Sequence, residues 1–124
     1  MTIRLPPRSL YLSDEDLFRL GNANDPRLDH VREKKDAETY MADGILFVKA
    51  NGRGISLFSE NRIKGLKGWH WMLKAGSSIP PGLVLIDEQN GHYLLCPDRD
   101  MSMDNYKGLL NTLKKFCERV GEVK

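Results

Sequence analysis

The sequence is poor in the features that mark several common protein classes. It has only two cysteines, Cys96 and Cys117, and neither belongs to a metal-binding spacing. His30 and His70 also lack a partner at metal-ligand spacing, so we expect no metal site. No window approaches the run of about 18 apolar residues that spans a membrane.

The first twelve residues, MTIRLPPRSLYL, contain no apolar stretch of the kind found in signal peptides. We therefore expect a chain that folds in the cytoplasm with reduced thiols. Direct delivery into another cell without a signal peptide would leave the same pattern. Residues 1–13, which include Pro6 and Pro7, are expected to lie over the surface of the domain.

The charges are nearly balanced, with a formal net charge of +2. Proteins that bind nucleic acid usually carry a dense basic stripe. The nearest candidate, Arg32 with Lys34 and Lys35, is interrupted by Glu33 and Asp36. Glycine-rich phosphate loops of the GxxxxGK[ST] and GxGxxG types are missing as well. The sequence therefore shows no strong nucleic-acid signal, and a nucleotide site would have to be built from strands and an arginine.

A chain of 124 residues indicates one domain, residues 1–124. Short apolar or alternating runs predict six strands. They lie at residues 16–21, 45–49, 54–58, 69–74, 83–88 and 92–96. Hairpins are predicted across ANGRG, between the second and third strands, and across QNG, between the last two. Since strands and helices do not alternate, the pattern favours a mostly antiparallel α+β domain.

Two helices are predicted. Asp25 before Pro26 matches an N-cap followed by a proline at the first helical position, so we expect one or two turns of an N-terminal helix. Ser102 can cap a longer C-terminal helix that ends near Gly121. Apolar residues at i, i+3 and i+4 spacing give that helix its amphipathic stripe: Tyr106, Leu109, Leu110, Leu113, Phe116, Cys117 and Val120.

Arg19 stands inside the apolar run DLFRLG. On a strand, Arg19 and Leu17 share one face, so a fixed positive charge is in line with a core leucine. The arginine could reach solvent from an edge strand or pair with a buried carboxylate. Alternatively its planar fork could clamp a phosphate or carboxylate ligand. Gly21 and Asn22 follow at once, and both permit close approach of the backbone to a ligand.

Two further residues suggest either a site or ordinary structure. Ser56 in GRGISLF lies between apolar residues, so it faces solvent or points into a cleft. His92 follows a turn and is either a hydrogen-bonded structural residue or a functional group. There is no GxSxG motif and no base is apparent beside Ser56, which argues against a serine hydrolase. The nearest acids, Glu60 and Glu88, can be read as surface charges.

Four motifs now follow in order: LFRLGNAND, GRGISLF, WHWMLKAGSSIPPGLVL, and HYLLCP before a leucine-rich helix. Their order resembles the small toxin domain of type VI secretion effectors with an ADP-ribosyltransferase-like fold. That family also includes stand-alone toxins in bacteria and fungi. Its pattern runs LYRxGN, then GGIS-[TL]-F, then W…GT-x-IPxGL-x-V, then HYTIxP. The resemblance covers roughly residues 15–115.

The resemblance implies a compact β-sandwich whose cleft binds NAD as a substrate and cleaves the nicotinamide–ribose bond. It also implies an immunity or antitoxin protein and a macromolecular target that the sequence does not name. By the matching motifs, the first-strand arginine holds NAD phosphates or the nicotinamide ribose and the strand serine supports the nicotinamide end. The implied catalytic residues are Arg19, Ser56 and His92, and the implied NAD-binding residues are Arg19, Gly21, Asn22, Ser56 and Tyr93.

The chain departs from the family pattern at three points. Leu94 replaces the usual threonine, Arg53 replaces a glycine, and no glutamate motif of the usual transferase kind follows, so Glu88 matches only by position. An NAD glycohydrolase without transfer and a non-enzymatic NAD-binding module therefore stay open. An RNA-directed relative that transfers a phosphate from RNA to NAD would need Arg19, His92, Arg53 and Arg99 to converge. Trp69, Trp71 or Tyr93 could stack on nicotinamide or adenine, or pack in the core.

Overall fold

The computed structural model describes residues 9–124. The surface path expected for residues 1–13 therefore lies partly outside the described residues. In its described part, Ser9 and Leu10 form a strand, Tyr11 and Leu12 are exposed, and Ser13 is buried. Across residues 9–124 the chain is an α+β protein with mostly antiparallel sheets, as predicted. Its strands are β1 (Ser9–Leu10), β2 (Leu17–Gly21), β3 (Thr39–Ala42), β4 (Ile45–Val48), β5 (Ile55–Ser59), β6 (Gly68–Leu73), β7 (Leu83–Asp87), β8 (His92–Pro97), β9 (Met101–Ser102) and β10 (Cys117–Val123). Its helices are α1 (Glu60–Ile63) and α2 (Met103–Lys114). No helix in residues 9–124 is long and apolar enough to cross a membrane.

The strands of this range form a large and a small sheet. The large sheet has the order β1-β7-β8-β5-β2-β6-β10, and the small one has the order β3-β4-β9. One face of the large sheet packs against α2 and the small sheet, and the main core lies between them. This face carries alternate residues of the central strands, such as Leu17, Leu57 and Leu95, which are almost completely buried.

Helix α2 begins where the sequence predicts it. The Ser102 side chain accepts a hydrogen bond from the Asn105 amide at 3.1 Å, which satisfies one free N–H of the first turn. Tyr106 and Leu110 are fully buried against the large sheet. The Tyr106 hydroxyl donates to the Leu95 carbonyl at 2.7 Å, so the polar end of this buried ring is paired.

The predicted end of this helix is wrong. Helix α2 stops at Lys114, and Cys117–Val123 instead form β10, which pairs antiparallel with β6. Phe116 and Val120, expected on the buried stripe, are 64% and 58% exposed. A long-range partner strand supplies backbone hydrogen bonds that outweigh the local helical periodicity.

The short helix predicted after Asp25 does not form either. The Asp25 carboxylate accepts a hydrogen bond from the Arg27 amide at 2.7 Å, and Arg27 has a φ of 56°. A side chain that bonds the backbone two residues on stabilises a turn, and a left-handed residue cannot continue a right-handed helix. The segment between β2 and β3 is therefore a loop, residues 22–38, and the first helix is α1.

One predicted hairpin is wrong and the other is confirmed. Strand β4 pairs with β3 and β9, whereas β5 pairs with β2 and β8, so the turn at Asn51 and Gly52 carries the chain from the small sheet to the large one. Strands β7 and β8 do form a hairpin. Gln89, Asn90 and Gly91 turn it with φ values of 72°, 59° and 77°.

The large sheet opens beside β2. Strand β2 pairs with β6 along all five of its residues, but with β5 only at Leu17 and Phe18. Beyond Phe18 the two strands separate, and the following loop folds back at Gly21. A Cβ atom on Gly21 would lie 2.2 Å from the Asp25 carbonyl oxygen, so only glycine admits this close approach.

Loop 22–38 is anchored from two sides. The Lys114 ammonium of α2 lies 3.2 Å from both the Asp25 and the Asp29 carboxylates. Asp36, which is 4% exposed, accepts hydrogen bonds from the Arg32 amide at 2.8 Å and from its guanidinium at 3.1 Å. Burial alone would raise the pKa of Asp36, but the hydrogen bonds from Arg32 outweigh burial and hold the pKa below its ordinary value.

We predict that Asp36→Asn destabilises the protein at neutral pH and that this difference shrinks in acid. The pKa of Asp36 is lower in the folded protein than in the unfolded chain, so its contribution is present above about pH 4 and is lost as the pH falls through the folded pKa. Urea unfolding of both proteins between pH 7 and pH 3 measures the difference. An unchanged difference at both ends of that range would contradict the assignment.

Gly54 and Gly108 allow a controlled test of packing, because only one of them is crowded by neighbouring atoms. A Cβ at Gly54 would meet the Leu95 carbonyl oxygen at 2.2 Å, whereas a Cβ at Gly108 in α2 would meet nothing within 4 Å. We expect Gly54→Ala to cost about 1–3 kcal/mol of stability through overpacking. Gly108→Ala should add about 0.5–1 kcal/mol by restricting the unfolded chain. Equal effects of the two changes in urea unfolding would refute the close approach of β5 and β8.

Candidate active site

Arg19 fills the opening between β2 and β5. Its Nη1 donates to the Ser56 carbonyl of β5 at 3.0 Å. Its Nη2 donates to the carbonyls of Arg27 and His30 in loop 22–38, at 3.2 and 3.4 Å. Within the described residues the buried Nε has no hydrogen-bond partner. The guanidinium thus ties β5 to the loop through three of its five N–H donors, and its Nε–H is left without a partner.

The charge of Arg19 is poorly compensated. No carboxylate forms an ion pair with it among residues 9–124, and the strongest negative influence on it is Asp36, which is already bonded to Arg32. Burial lowers the pKa of Arg19, and Asp36 offsets part of that effect. Backbone carbonyls hold the guanidinium. Arg19 is therefore neither an edge arginine that reaches solvent nor the partner of a buried carboxylate, the two structural roles considered from the sequence. A mostly buried cation of this kind favours an anion in contact with it.

A cavity of about 350 Å³ lies at this opening. Its size is in the range of small-molecule sites. It is lined by three arginines, a histidine, a hydroxyl and two apolar side chains: Arg19, Arg27, Arg32, His30, Ser56, Leu20 and Phe58. Since no carboxylate is part of this lining, the cavity suits an anionic ligand that also has an apolar part.

The charged lining is itself ordered. The Arg27 Nη2 lies 3.0 Å from the His30 Nε2, and a guanidinium can only donate, so His30 accepts there. Arg32 is neutralised by its ion pair with Asp36. Arg19 and Arg27 have no carboxylate partner among the described ion pairs, so they supply the net positive charge of the cavity.

Ser56 has a histidine and a glutamate behind it. The His92 Nε2 lies 3.0 Å from the Ser56 Oγ, and the His92 Nδ1 lies 2.9 Å from the Glu88 Oε1. Phe58 stacks on the His92 ring with centroids 5.4 Å apart. The register pairs Phe58 with His92, which makes Ser56 and His92 diagonal neighbours on one face of the sheet. The expectation that Ser56 has no base beside it is therefore wrong.

The other candidate residues lie elsewhere. Gly21 ends β2 and Asn22 begins the turn that follows, where the Asn22 carbonyl accepts a hydrogen bond from the Trp71 indole N–H at 2.8 Å. Tyr93 is 3% exposed in the main core, on the face opposite Ser56, and its hydroxyl donates to Glu15. The structure thus brings Arg19, Ser56 and His92 together but does not bring Tyr93 to them.

Arg53 and Arg99, which the RNA-directed alternative needs beside Arg19 and His92, are outside the cavity lining. Arg53 donates to a loop carbonyl at 2.9 Å, and Arg99 pairs with the adjacent Asp98. Trp69 and Trp71, proposed as stacking partners, do not line the cavity. Its apolar contacts come from Leu20 and Phe58 instead.

Sequence reasoning missed Arg27, His30 and Arg32. These residues fell in a segment interpreted as a polar helix and loop, and their spacing matches no motif. Only their place in the sequence could have indicated a role. The stretch PRLDHVR carries three basic groups and comes directly after GNAND, a few residues beyond Arg19. Because the chain folds back at Gly21, these basic groups also lie close to Arg19 in space.

Neither cysteine offers a nucleophile at ordinary pH. Cys96 and Cys117 are free thiols, as expected. Burial raises the pKa of Cys96 to about 12 and that of Cys117 to about 11. A thiol that stays protonated is a poor nucleophile. The groups available for chemistry around this cavity are the Ser56 hydroxyl and the imidazoles of His30 and His92.

Comparison with known proteins agrees with the motif order. A family model described as Tse2 ADP-ribosyltransferase toxin matches residues 15–120, which confirms the resemblance to a type VI effector toxin domain. No curated protein and no solved structure matched the chain. The matched range contains the whole cavity lining together with His92 and Glu88. Because the match spans most of the sequence, the chain belongs to the Tse2 ADP-ribosyltransferase toxin family.

Proposed function

We propose that this toxin binds NAD in the cavity at Arg19, cleaves the bond between nicotinamide and ribose, and transfers the ADP-ribose to a macromolecular target. Family membership supports a transferase enzyme. The observation that carries the finer proposal is the convergence of Arg19, Arg27 and Arg32 with Ser56 around one cavity. That lining offers a site for a diphosphate beside a hydroxyl and an apolar wall.

In this proposal the arginines have different roles in binding the diphosphate. Arg19 has given three Nη donors to backbone carbonyls, so it contributes its charge and its remaining N–H groups. Arg27 is exposed on the loop and can close on phosphate oxygens, whereas Arg32 offers only the guanidinium N–H groups that its ion pair with Asp36 leaves free. Guanidinium groups suit this role because they match phosphate geometry with two parallel donors.

The nicotinamide end belongs at Ser56 in this proposal. Leu20 and Phe58 give the ring an apolar wall, and the Ser56 oxygen can accept a hydrogen bond from the carboxamide. Cleavage passes through an oxocarbenium-like state in which nicotinamide leaves with the bonding electrons. Much of the rate can come from holding the ribose and diphosphate in place while positive charge develops.

The proposal extends to the setting of the enzyme. We assign residues 1–124 to one domain with an ADP-ribosyltransferase-like sandwich, delivered as an effector into the cytoplasm of a target cell. A cell that makes such an enzyme needs protection from it, so an immunity or antitoxin protein is expected to cover the cavity. The toxin family supports this expectation.

The test is incubation of the purified protein with NAD labelled in its adenylate part, with free nicotinamide measured. Label in protein or nucleic acid identifies a transferase and its target class, whereas free ADP-ribose alone identifies a glycohydrolase. Binding without nicotinamide release would leave a binding module. If NAD is neither bound nor consumed, the proposed function is wrong.

We predict that Arg19→Ala lowers nicotinamide release about 100-fold or more, because it removes a preorganised positive charge. Arg19→Lys keeps the charge but not the planar fork, so it should recover only part of the rate. Arg99→Ala is the matched control, since Arg99 is exposed and pairs only with its neighbour Asp98 among the described residues. Full activity of Arg19→Ala would remove this residue from the site.

Arg27→Ala separates binding from folding. The carbonyl of Arg27 still accepts from Arg19 in this variant, so the loop stays tied to β2. We expect the KM for NAD to rise about tenfold with a smaller change in kcat, as for the loss of a charge-assisted hydrogen bond. An unchanged KM in steady-state kinetics would show that Arg27 does not contact the ligand.

A further inference from the structure

Ser56 is hydrogen-bonded to His92, which is bonded to Glu88, and binding NAD does not require these two contacts. Holding a nicotinamide amide requires one hydroxyl, yet Ser56, His92 and Glu88 form a continuous hydrogen-bonded chain leading away from the cavity. Ser56 lines the cavity, while His92 and Glu88 do not. The His92 and Glu88 side chains are 28% and 44% exposed, so the far end of the chain reaches solvent.

The direction of the hydrogen bonds follows from Glu88. An ionised carboxylate can only accept, so the His92 Nδ1 must carry the proton that it shares with Glu88. In a neutral imidazole the Nε2 is then a bare acceptor, and the Ser56 hydroxyl donates to it. The Ser56 oxygen keeps its lone pairs for a group in the cavity.

The rival bases at the cavity are already engaged. His30 accepts a hydrogen bond from Arg27 on its Nε2, which uses the lone pair that would take a proton. Asp36 accepts three hydrogen bonds from Arg32 and is buried. No carboxylate of the described residues lines the cavity. The Ser56–His92 pair is therefore the route by which a proton can leave.

We propose that Ser56, His92 and Glu88 form a proton relay that activates a hydroxyl acceptor, either water or an alcohol, in the step proposed above. This inference rests on the proposed function. The bond from ribose C1′ to the nicotinamide nitrogen breaks, its electron pair leaves with nicotinamide, and the departing carboxamide releases the Ser56 oxygen. The acceptor oxygen bonds to C1′ while its proton passes to the Ser56 oxygen.

The proton of Ser56 moves to the His92 Nε2 in the same step. The resulting imidazolium is stabilised by the Glu88 carboxylate and returns its proton to solvent. Glu88 is thus a positioning residue, because it acts only through His92: it fixes which ring nitrogen is free and supports the charge that forms. Stacking on Phe58 helps to hold the ring in the required plane.

The kinetic test compares nicotinamide release by the full-length wild type, His92→Gln and Glu88→Gln. We expect kcat to fall about 100-fold for His92→Gln, as for loss of a general base, and about tenfold for Glu88→Gln. The KM for NAD should stay within about twofold, because neither residue touches the diphosphate site. Glu118→Gln, an exposed glutamate on β10, is the control and should match wild type. Unchanged kcat in both relay variants, in an active wild type, would overturn the relay.

Nitrogen NMR of the histidine rings in the wild type without NAD tests the relay independently of turnover. The His92 signals, assigned from His92→Gln, should show the Nδ1–H tautomer, and Glu88→Gln should lose that preference. An Nε2–H tautomer in the wild type would overturn the relay even where NAD is consumed. A wild type that leaves NAD intact but shows the Nδ1–H tautomer would overturn the proposed function while supporting the assigned hydrogen-bond direction.

Discussion

Arg19 replaces part of a β-ladder, and the site depends on that replacement. Strands β2 and β5 pair only at Leu17 and Phe18, and beyond them the guanidinium takes up the carbonyl of Ser56. The same group holds two carbonyls of loop 22–38. A backbone ladder here would close the sheet and leave no room for a ligand. A side chain that spans the gap satisfies the backbone and keeps the cavity open.

A cation inside a sheet needs support from its surroundings, and loop 22–38 provides it. Carbonyls of the loop solvate Arg19, while Asp36 lies close enough to favour the charged form without pairing with it. Asp36 is itself engaged by Arg32, and the loop is fastened to α2 through Lys114. The contacts that stabilise the loop therefore also hold its arginines at the cavity, so the stability of the loop and the arrangement of the cavity lining are coupled.

The sequence predicts local features better than partners. Alternation placed the central strands correctly, and Ser102 marked the start of α2, because each depends on neighbouring residues alone. The predicted end of the C-terminal helix and the predicted hairpin at Asn51-Gly52 were wrong, because both depend on which distant strand is available for pairing. Arg19 was recognisable as an unusual charge, but the basic residues beside it were not. Their proximity arises from the fold-back at Gly21, which no spacing rule encodes.

The proposed relay depends on the register between β5 and β8, which brings Ser56 and His92 together. Ser56 and His92 are 36 residues apart, and they meet because Phe58 pairs with His92 across β5 and β8. A slip of one residue would turn Ser56 to the opposite face and separate the pair. Glu88 lies directly opposite His92 across the β7–β8 turn, where its amide donates to the His92 carbonyl at 3.0 Å, so the two side chains share a face. In the proposed relay, Glu88 acts on the cavity through His92 and Ser56, although it matches the transferase pattern only by position.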